Sequence, residues 1–203
     1  MERKPAREPS GKLDKDVVAV RLHGKIFDVH TPLTATAEEL QLVRATEDDG
    51  LRVIRHSAAH VMADAVQRLF PGTKVTIGPA IEDGFYYDFS RAEGTFSEED
   101  LTKIEKEMGR IIKQNAPFKR TIVERAEAIA KFSGMGETFK VEIIQSIPEE
   151  AELSFYVHGA QGHEWIDFCE GPHVPSTGLL GAVKLMSVAG AYWRGDEKNP
   201  MLT

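Results

Sequence analysis

Two pairs of side chains that handle metals and protons stand out, each with three residues between its members. One pair is His56 and His60; the other is Cys169 and His173, with Cys169 the only cysteine in the chain. On a helix, residues four apart lie one above the other on a single face. Two histidines, a cysteine and a third histidine are donor types that zinc prefers. Neutral imidazoles can also hold or deprotonate a water or a ribose hydroxyl without a metal. A lysine whose pKa falls in a desolvated pocket can do the same, and Asp167 can orient a partner. A zinc-protease motif needs glutamate after its first histidine, but Ser57 stands there. The His-x-Glu and Pro-Cys-x-x-Cys pattern of zinc deaminases is absent too. Taken singly, each residue also suits a satisfied position at a core edge, with Cys169 a small buried hydrophobe.

These residues need elements to hold them. Leu51 to Phe70 reads as one amphipathic helix, because Ala59, Met62, Ala63, Val66, Leu69 and Phe70 recur at three- and four-residue steps. Asp48-Asp49-Gly50 offers it a turn and an N-cap, and Pro71-Gly72 stops it. Upstream, Val17–Val20 and Ile26–Val29 flank His23-Gly24-Lys25 as a β-hairpin, and Leu40–Val43 adds a third strand. Downstream, Lys74–Gly78 is a short strand. Gly84–Phe89 is an aromatic β segment in which Phe85 and Phe89 belong to the core and one tyrosine keeps its hydroxyl in a pocket. Ser97–Asp100 opens a helix as a capping box. Leu101, Ile104, Met108 and Ile111 form its buried stripe; Lys103, Lys106, Arg110 and Lys113 lie opposite, as a solvated back or a phosphate-facing ridge. Phe118–Val123 predicts a strand, and Glu124–Phe132 and Glu137–Ile147 predict helices, the second carrying Lys140. A hairpin of Leu153–Val157 and Glu164–Phe168 brings Asp167 to the Cys169 loop. Val183–Trp193 reads as a last β segment, and Gly195–Thr203 as a polar linker. Strands and helices do not alternate strictly, so the fold class is α+β: a long His-bearing helix packed on an antiparallel sheet, preceded by a small β unit.

Bulk properties narrow the function classes. A net charge of −7 leaves the chain without an overall attraction for polyanions, so any nucleic-acid contact needs a local basic face or help from another domain. No apolar run approaches the ~20 residues of a membrane helix. Met1 to Asp16 is polar, reads as a disordered lead-in and lacks a secretory h-region. One cysteine excludes an internal disulfide framework, and a cytoplasmic location is expected.

Four stretches together resemble one family. They are Ile54-Arg55-His56-Ser57-Ala58-Ala59-His60; Ile77-Gly78-Pro79 with Gly84-Phe85-Tyr86-Tyr87-Asp88; Asp167-Phe168-Cys169-Glu170-Gly171-Pro172-His173; and Ala189-Gly190-Ala191-Tyr192-Trp193-Arg194-Gly195-Asp196. In this order they are similar to the amino-terminal editing region of bacterial-type threonyl-tRNA synthetases, from about Val17 to Thr203. The two ligand-like pairs alone would also suit alanyl-tRNA editing proteins; the second and fourth stretches decide for the threonyl kind.

The resemblance implies a partial TGS-type β-grasp unit over 17–50, an editing domain over 51–194 and a linker over 195–203 toward a catalytic core. It implies hydrolytic proofreading of Ser-tRNA(Thr), because one methyl group is worth only ~1–3 kcal/mol in a synthetic pocket. The partners implied are the tRNA acceptor end carrying serine and the catalytic and anticodon-binding domains of a parent synthetase, with no membrane and no ligase activity from this chain alone. By motif match the cleft is lined by His56, His60, Tyr87, Lys140, Asp167, Cys169 and His173. In this assignment His56 holds the terminal ribose hydroxyl, and Lys140 or His173 activates or places the water. Asp167 and Tyr87 fix the amino acid and the water, while His60 and Cys169 shape the serine pocket. No cofactor is expected, although His56, His60, Cys169 and His173 could hold zinc. The alternatives are a tRNA-acceptor-binding module without catalysis and a zinc-dependent deacylase of the alanyl type.

Overall fold

A computed structural model describes residues 14–36 and 38–203. The expected lead-in lies outside the described residues up to position 13. The architecture is α+β. Strands β1 (Val17–Leu22), β2 (Lys25–Phe27) and β3 (Leu40–Arg44) form an antiparallel sheet in the order β2-β1-β3. Helix α1 (Asp48–Leu69) follows at once. It starts three residues earlier than expected and runs through Gly50. The reason is a close approach: a Cβ on Gly50 would sit 1.9 Å from the Arg44 carbonyl oxygen, so only glycine lets the helix leave β3 so tightly. Asp48 and Asp49 in the first turn suit the positive end of the helix dipole.

Four two-residue strands follow: β4 (Lys74–Val75), β5 (Ala80–Ile81), β6 (Gly84–Phe85) and β7 (Phe89–Ser90). They pair as β4 with β7 and β5 with β6. Helix α2 (Glu98–Lys113) opens on a reciprocal capping box between Ser97 and Asp100 and buries Ile104, Met108 and Ile111 against α1. Its four basic residues are exposed; Lys103 pairs with Asp100 and Arg110 with Glu107.

The second three-stranded sheet is the floor of the site. It comprises β8 (Lys119–Val123), β9 (Leu153–His158) and β10 (Trp165–Phe168), all antiparallel in the order β10-β9-β8. Its two faces follow the period-2 rule. Leu153, Phe155, Ile166 and Phe168 pack against helices α3 (Arg125–Gly134) and α4 (Thr138–Ser146), where Ala128, Phe132 and Ile144 complete a small core. The alternate residues Tyr156, His158, Trp165 and Asp167 point the other way, toward α1. There His158 Nε2 meets Asp64 Oδ2 at 3.1 Å, and Trp165 joins the main core. A slip of one residue in the β9–β10 register would exchange these faces and take Asp167 out of the site.

The last segment departs from expectation. Residues 183–190 form no strand: Val183, Leu185 and Val188 pack singly against the main core from irregular chain. Only β11 (Ala191–Tyr192) is extended, and it pairs with β12 (Met201–Leu202). The stretch read as a polar linker therefore folds back. Thr203 exchanges both backbone hydrogen bonds with Phe89, and buried Trp193 donates to Glu142 of α4 at 2.7 Å. No helix among the described residues is long and apolar enough to cross a membrane.

The first sheet also grips the site. Val18, Ala19 and Val43 share the core with α1. Just past β2, Asp28 Oδ2 accepts from the Tyr156 hydroxyl at 2.6 Å, and Oδ1 accepts the His173 N–H at 2.8 Å. Replacing Asp28 by alanine strands both donors away from bulk water. The expected loss of unfolding free energy is about 1–3 kcal/mol, read from urea denaturation.

Candidate active site

A cavity of about 650 Å³ opens between α1, the 77–80 segment and the end of β10. Six of the seven residues expected in the cleft line it: His56, His60, Tyr87, Lys140, Asp167 and Cys169. His173 does not. It is 1% exposed and sits behind the wall, stacked on Phe118 at 4.7 Å between ring centroids and on His56 at 4.5 Å. The course of its loop sets His173 back from the cavity, against the rings of His56 and His60. Gly171, at φ +74°, turns the chain inward against Tyr156; a Cβ there would lie 2.0 Å from the Tyr156 hydroxyl.

The polar centre is a buried ion pair with a phenol. Lys140 Nζ lies 2.7 Å from Asp167 Oδ1 and donates to the Tyr87 hydroxyl at 3.1 Å. The Tyr87 hydroxyl in turn donates to Asp167 Oδ2 at 3.0 Å, and the Phe168 N–H donates to Oδ1 at 2.8 Å. Burial pushes the Asp167 carboxyl up, while Lys140, Tyr87 and the Phe168 amide pull it back. Burial, and then the charge on Asp167, push the Tyr87 phenol well up. Helix α4 is fixed at its start by Glu137, whose carboxylate accepts from Gln67 of α1 at 2.7 Å and from the Val75 N–H at 3.1 Å. Lys140 follows one turn later.

The second group is the four-residue cluster. His56 and His60 rings meet edge to face at 4.9 Å, as their four-residue spacing requires. His56 Nε2 is 3.0 Å from Cys169 Sγ, which also accepts the Gly171 N–H at 3.2 Å. One donor atom from each of His56, His60, Cys169 and His173 lies within 4.8 Å of the others. This is the right donor set for zinc. His60 Nδ1, 3.6 Å from Asp167 Oδ2, and His173 Nε2 are both buried without a hydrogen-bond partner. Burial lowers His56 to about 4, lowers His60 and His173 well below the ordinary histidine value, and raises the Cys169 thiol to about 12. Near neutral pH, then, the cluster is uncharged: three neutral imidazoles and a thiol. It can accept and relay hydrogen bonds, and it lines a cavity whose charged residues are the buried Lys140 and Asp167 together with Asp49, Arg52 and Glu170.

Two participants were not read from the sequence as site residues. Asp28 was only a strand residue, and Ser57 only the residue that breaks a protease motif. A small polar residue set between two histidines in an otherwise apolar stretch of helix is the signal the sequence offers for the second.

The depressed histidines fix a pH dependence. The unfolded chain takes up protons as pH falls through about 6.5, whereas folded His56 resists until about 4. Folded stability contributed by the neutral rings is therefore present above about 6.5 and lost as pH falls toward 4. Urea midpoints measured from pH 7 downward are expected to drop across this window, and to drop less in His56→Gln.

Residues 153–203 match the family described as Threonyl and Alanyl tRNA synthetase second additional domain. Threonine–tRNA ligase of Oleidesulfovibrio alaskensis is 54% identical over 194 residues, covering 96% of this chain and 29% of the relative. The threonine–tRNA ligase of Carboxydothermus hydrogenoformans is 50% identical over 197 residues, 97% of this chain and 30% of the relative. That of Maricaulis maris is 50% identical over 198 residues, with the same two shares of 97% and 30%. The chain thus spans about 30% of the length of the curated relatives it matches. By sequence it belongs with the threonyl-tRNA synthetases, corresponding to a stretch of them that carries their second additional domain.

Proposed function

We propose that the chain hydrolyses the ester of serine wrongly attached to threonine tRNA. The observation that carries this reading is the cavity itself: a space of about 650 Å³ is lined by the imidazole–thiol cluster and, beside it, the buried Lys–Asp–Tyr network, with His60 Nδ1 3.6 Å from Asp167 Oδ2. That volume falls in the range of small-molecule sites and exceeds what serine alone needs, leaving room for a terminal nucleoside. On this reading residues 17–50 are a partial β-grasp unit and 51–194 the editing domain, with tRNA and the remaining domains of a synthetase as partners.

The chemistry is water attack on the acyl carbon. The ester C–O bond breaks, the acyl group takes the hydroxyl of water, and the ribose oxygen takes the proton. An aminoacyl ester is already activated, so placement supplies much of the acceleration. His56, a neutral ring at the cavity wall, accepts the hydrogen bond of the adjacent ribose hydroxyl. Lys140 is preferred over His173 for placing the water, because Lys140 lines the cavity and His173 does not. Asp167 and Tyr87 hold Lys140 and offer oxygens to the amino group of the substrate. His60 and Cys169 close the pocket where the extra methyl of threonine would clash.

The test uses serine- and threonine-charged threonine tRNA. The expected outcome is serine release with threonine retained, and a loss on the order of 100-fold in His56→Ala with tRNA binding unchanged. Inertness toward both substrates, where a full synthetase edits, sinks the reading.

A zinc-dependent variant draws on the four converging donors. Three of His56, His60, Cys169 and His173 would hold an ion with an open position, where it would supply an activated water and a Lewis acid; all four would close the site. Metal analysis of the purified chain is expected to find less than stoichiometric zinc, with deacylation surviving a chelator. Stoichiometric zinc together with chelator-sensitive turnover would replace the metal-free mechanism.

A further inference from the structure

Ser57 stands between the two helix histidines, fully buried, and has no part in the mechanism above. Its Oγ has three neighbours at hydrogen-bond distance: the Val53 carbonyl oxygen at 2.8 Å, the Val174 N–H at 3.0 Å and His173 Nδ1 at 3.0 Å. A hydroxyl has one proton to give and two lone pairs to receive with. The Val53 carbonyl can only accept, so it takes the proton. The Val174 N–H can only donate, so it takes one lone pair. What is left for His173 is the second lone pair, and meeting a lone pair requires a proton on Nδ1.

The far end of the ring points to the same state independently. His173 Nε2 is buried without a hydrogen-bond partner. Turning the Ser57 hydroxyl toward Nδ1 instead would put the proton of the neutral ring on Nε2, as an orphaned buried N–H. Such orphans are rarer in folded proteins than under-satisfied acceptors. The ring is also held in place: it stacks on Phe118 and His56, meets Tyr156 edge to face at 4.4 Å, and its backbone N–H is tied to Asp28.

We propose that Ser57 is a positioning residue that holds His173 as the Nδ1–H tautomer, so that Nε2 presents a lone pair to the cluster of His56, His60 and Cys169. With its ring fixed in that state, His173 backs the rings of His56 and His60 and holds them in place for the hydrolytic site. That use rests on the hydrolytic reading, but the tautomer does not. Tautomers of buried histidines are commonly set in this way, by the hydrogen bond at the opposite nitrogen.

Nitrogen-15 correlation spectra of the chelator-treated chain at neutral pH test the assignment directly. The expected spectrum shows His173 with a protonated Nδ1 and an unprotonated Nε2. Ser57→Thr, which keeps the hydroxyl, retains that pattern, and Ser57→Ala moves the proton toward Nε2. A wild-type spectrum with the proton on Nε2, or an Ser57→Ala spectrum identical to wild type, overturns the proposal. In the serine-release assay Ser57→Ala is expected to lose roughly 10- to 100-fold, the usual effect of removing a partner that orients a functional histidine, with recovery in Ser57→Thr. A wild-type chain inert toward charged tRNA but showing the expected spectrum would remove the hydrolytic reading and leave the tautomer standing.

Discussion

A carboxylate with no exposed surface is costly to bury, and Asp167 is such a group. Stripped of water, it is tolerable only with a cation and several donors at close range; losing one partner of a buried ion pair typically costs about 3–5 kcal/mol. Two of the donors come from distant parts of the chain, Lys140 on α4 and Tyr87 in the segment between β6 and β7, and the third is the neighbouring backbone N–H of Phe168. Satisfying one carboxylate therefore fixes how α4, the aromatic segment and the end of β10 meet. Glu137 extends the constraint by tying the start of α4 to Gln67 of α1. Gln67 also accepts from Trp165 Nε1 at 2.8 Å, which closes the circuit back to the sheet. The helix with the paired histidines and the helix with the lysine are thereby set in one frame.

Around that pair the protein builds a wall of low polarity. Burial, helped for His60 and His173 by repulsion from neighbouring rings and for His56 and His60 by repulsion from Lys140, keeps the histidines neutral, and burial with the charge on Asp167 keeps Cys169 a thiol. The neutral cluster and the buried ion pair thus lie side by side in one cavity wall, with His60 Nδ1 3.6 Å from Asp167 Oδ2. The placing of Asp167 follows from the alternation along β9 and β10. Leu153, Phe155, Ile166 and Phe168 feed the small core under the sheet, which frees Tyr156, His158, Trp165 and Asp167 for the other face. An ordinary β pattern thus places a costly polar group where partners can reach it.

Features set by short-range periodicity were legible in the sequence. The helix around His56 and His60, the capping box at Ser97, the β9–β10 hairpin and the placing of Asp167 before Cys169 all follow from local spacing. Features set by contacts across the chain were not. The inward course of the Gly171 loop depends on Tyr156 and on Asp28, which lies 145 residues before His173, so the withdrawal of His173 behind the wall left no local trace. The early start of α1 hangs on a backbone approach between Gly50 and Arg44. Apolar content misled over 183–190: Val183, Leu185 and Val188 are used for packing, but no neighbouring strand is there to take their backbone groups. Gly195–Thr203 reads as polar because Asp196, Glu197, Lys198 and Asn199 dominate it, while its anchors, Leu202 and the Thr203 backbone, are few.

The uncharged cluster has a consequence for ionic strength. Dissolved ions weaken interactions between exposed charges more than about 10 Å apart at 0.1 M, but hardly touch hydrogen bonds among neutral groups shielded from solvent. The contacts joining His56, Cys169, Ser57 and His173 should therefore persist across salt concentrations that strip a polyanion from the surface of a chain carrying −7. Whatever enters the cavity meets two separable regimes: capture governed by the electrolyte, and a subsequent step indifferent to it.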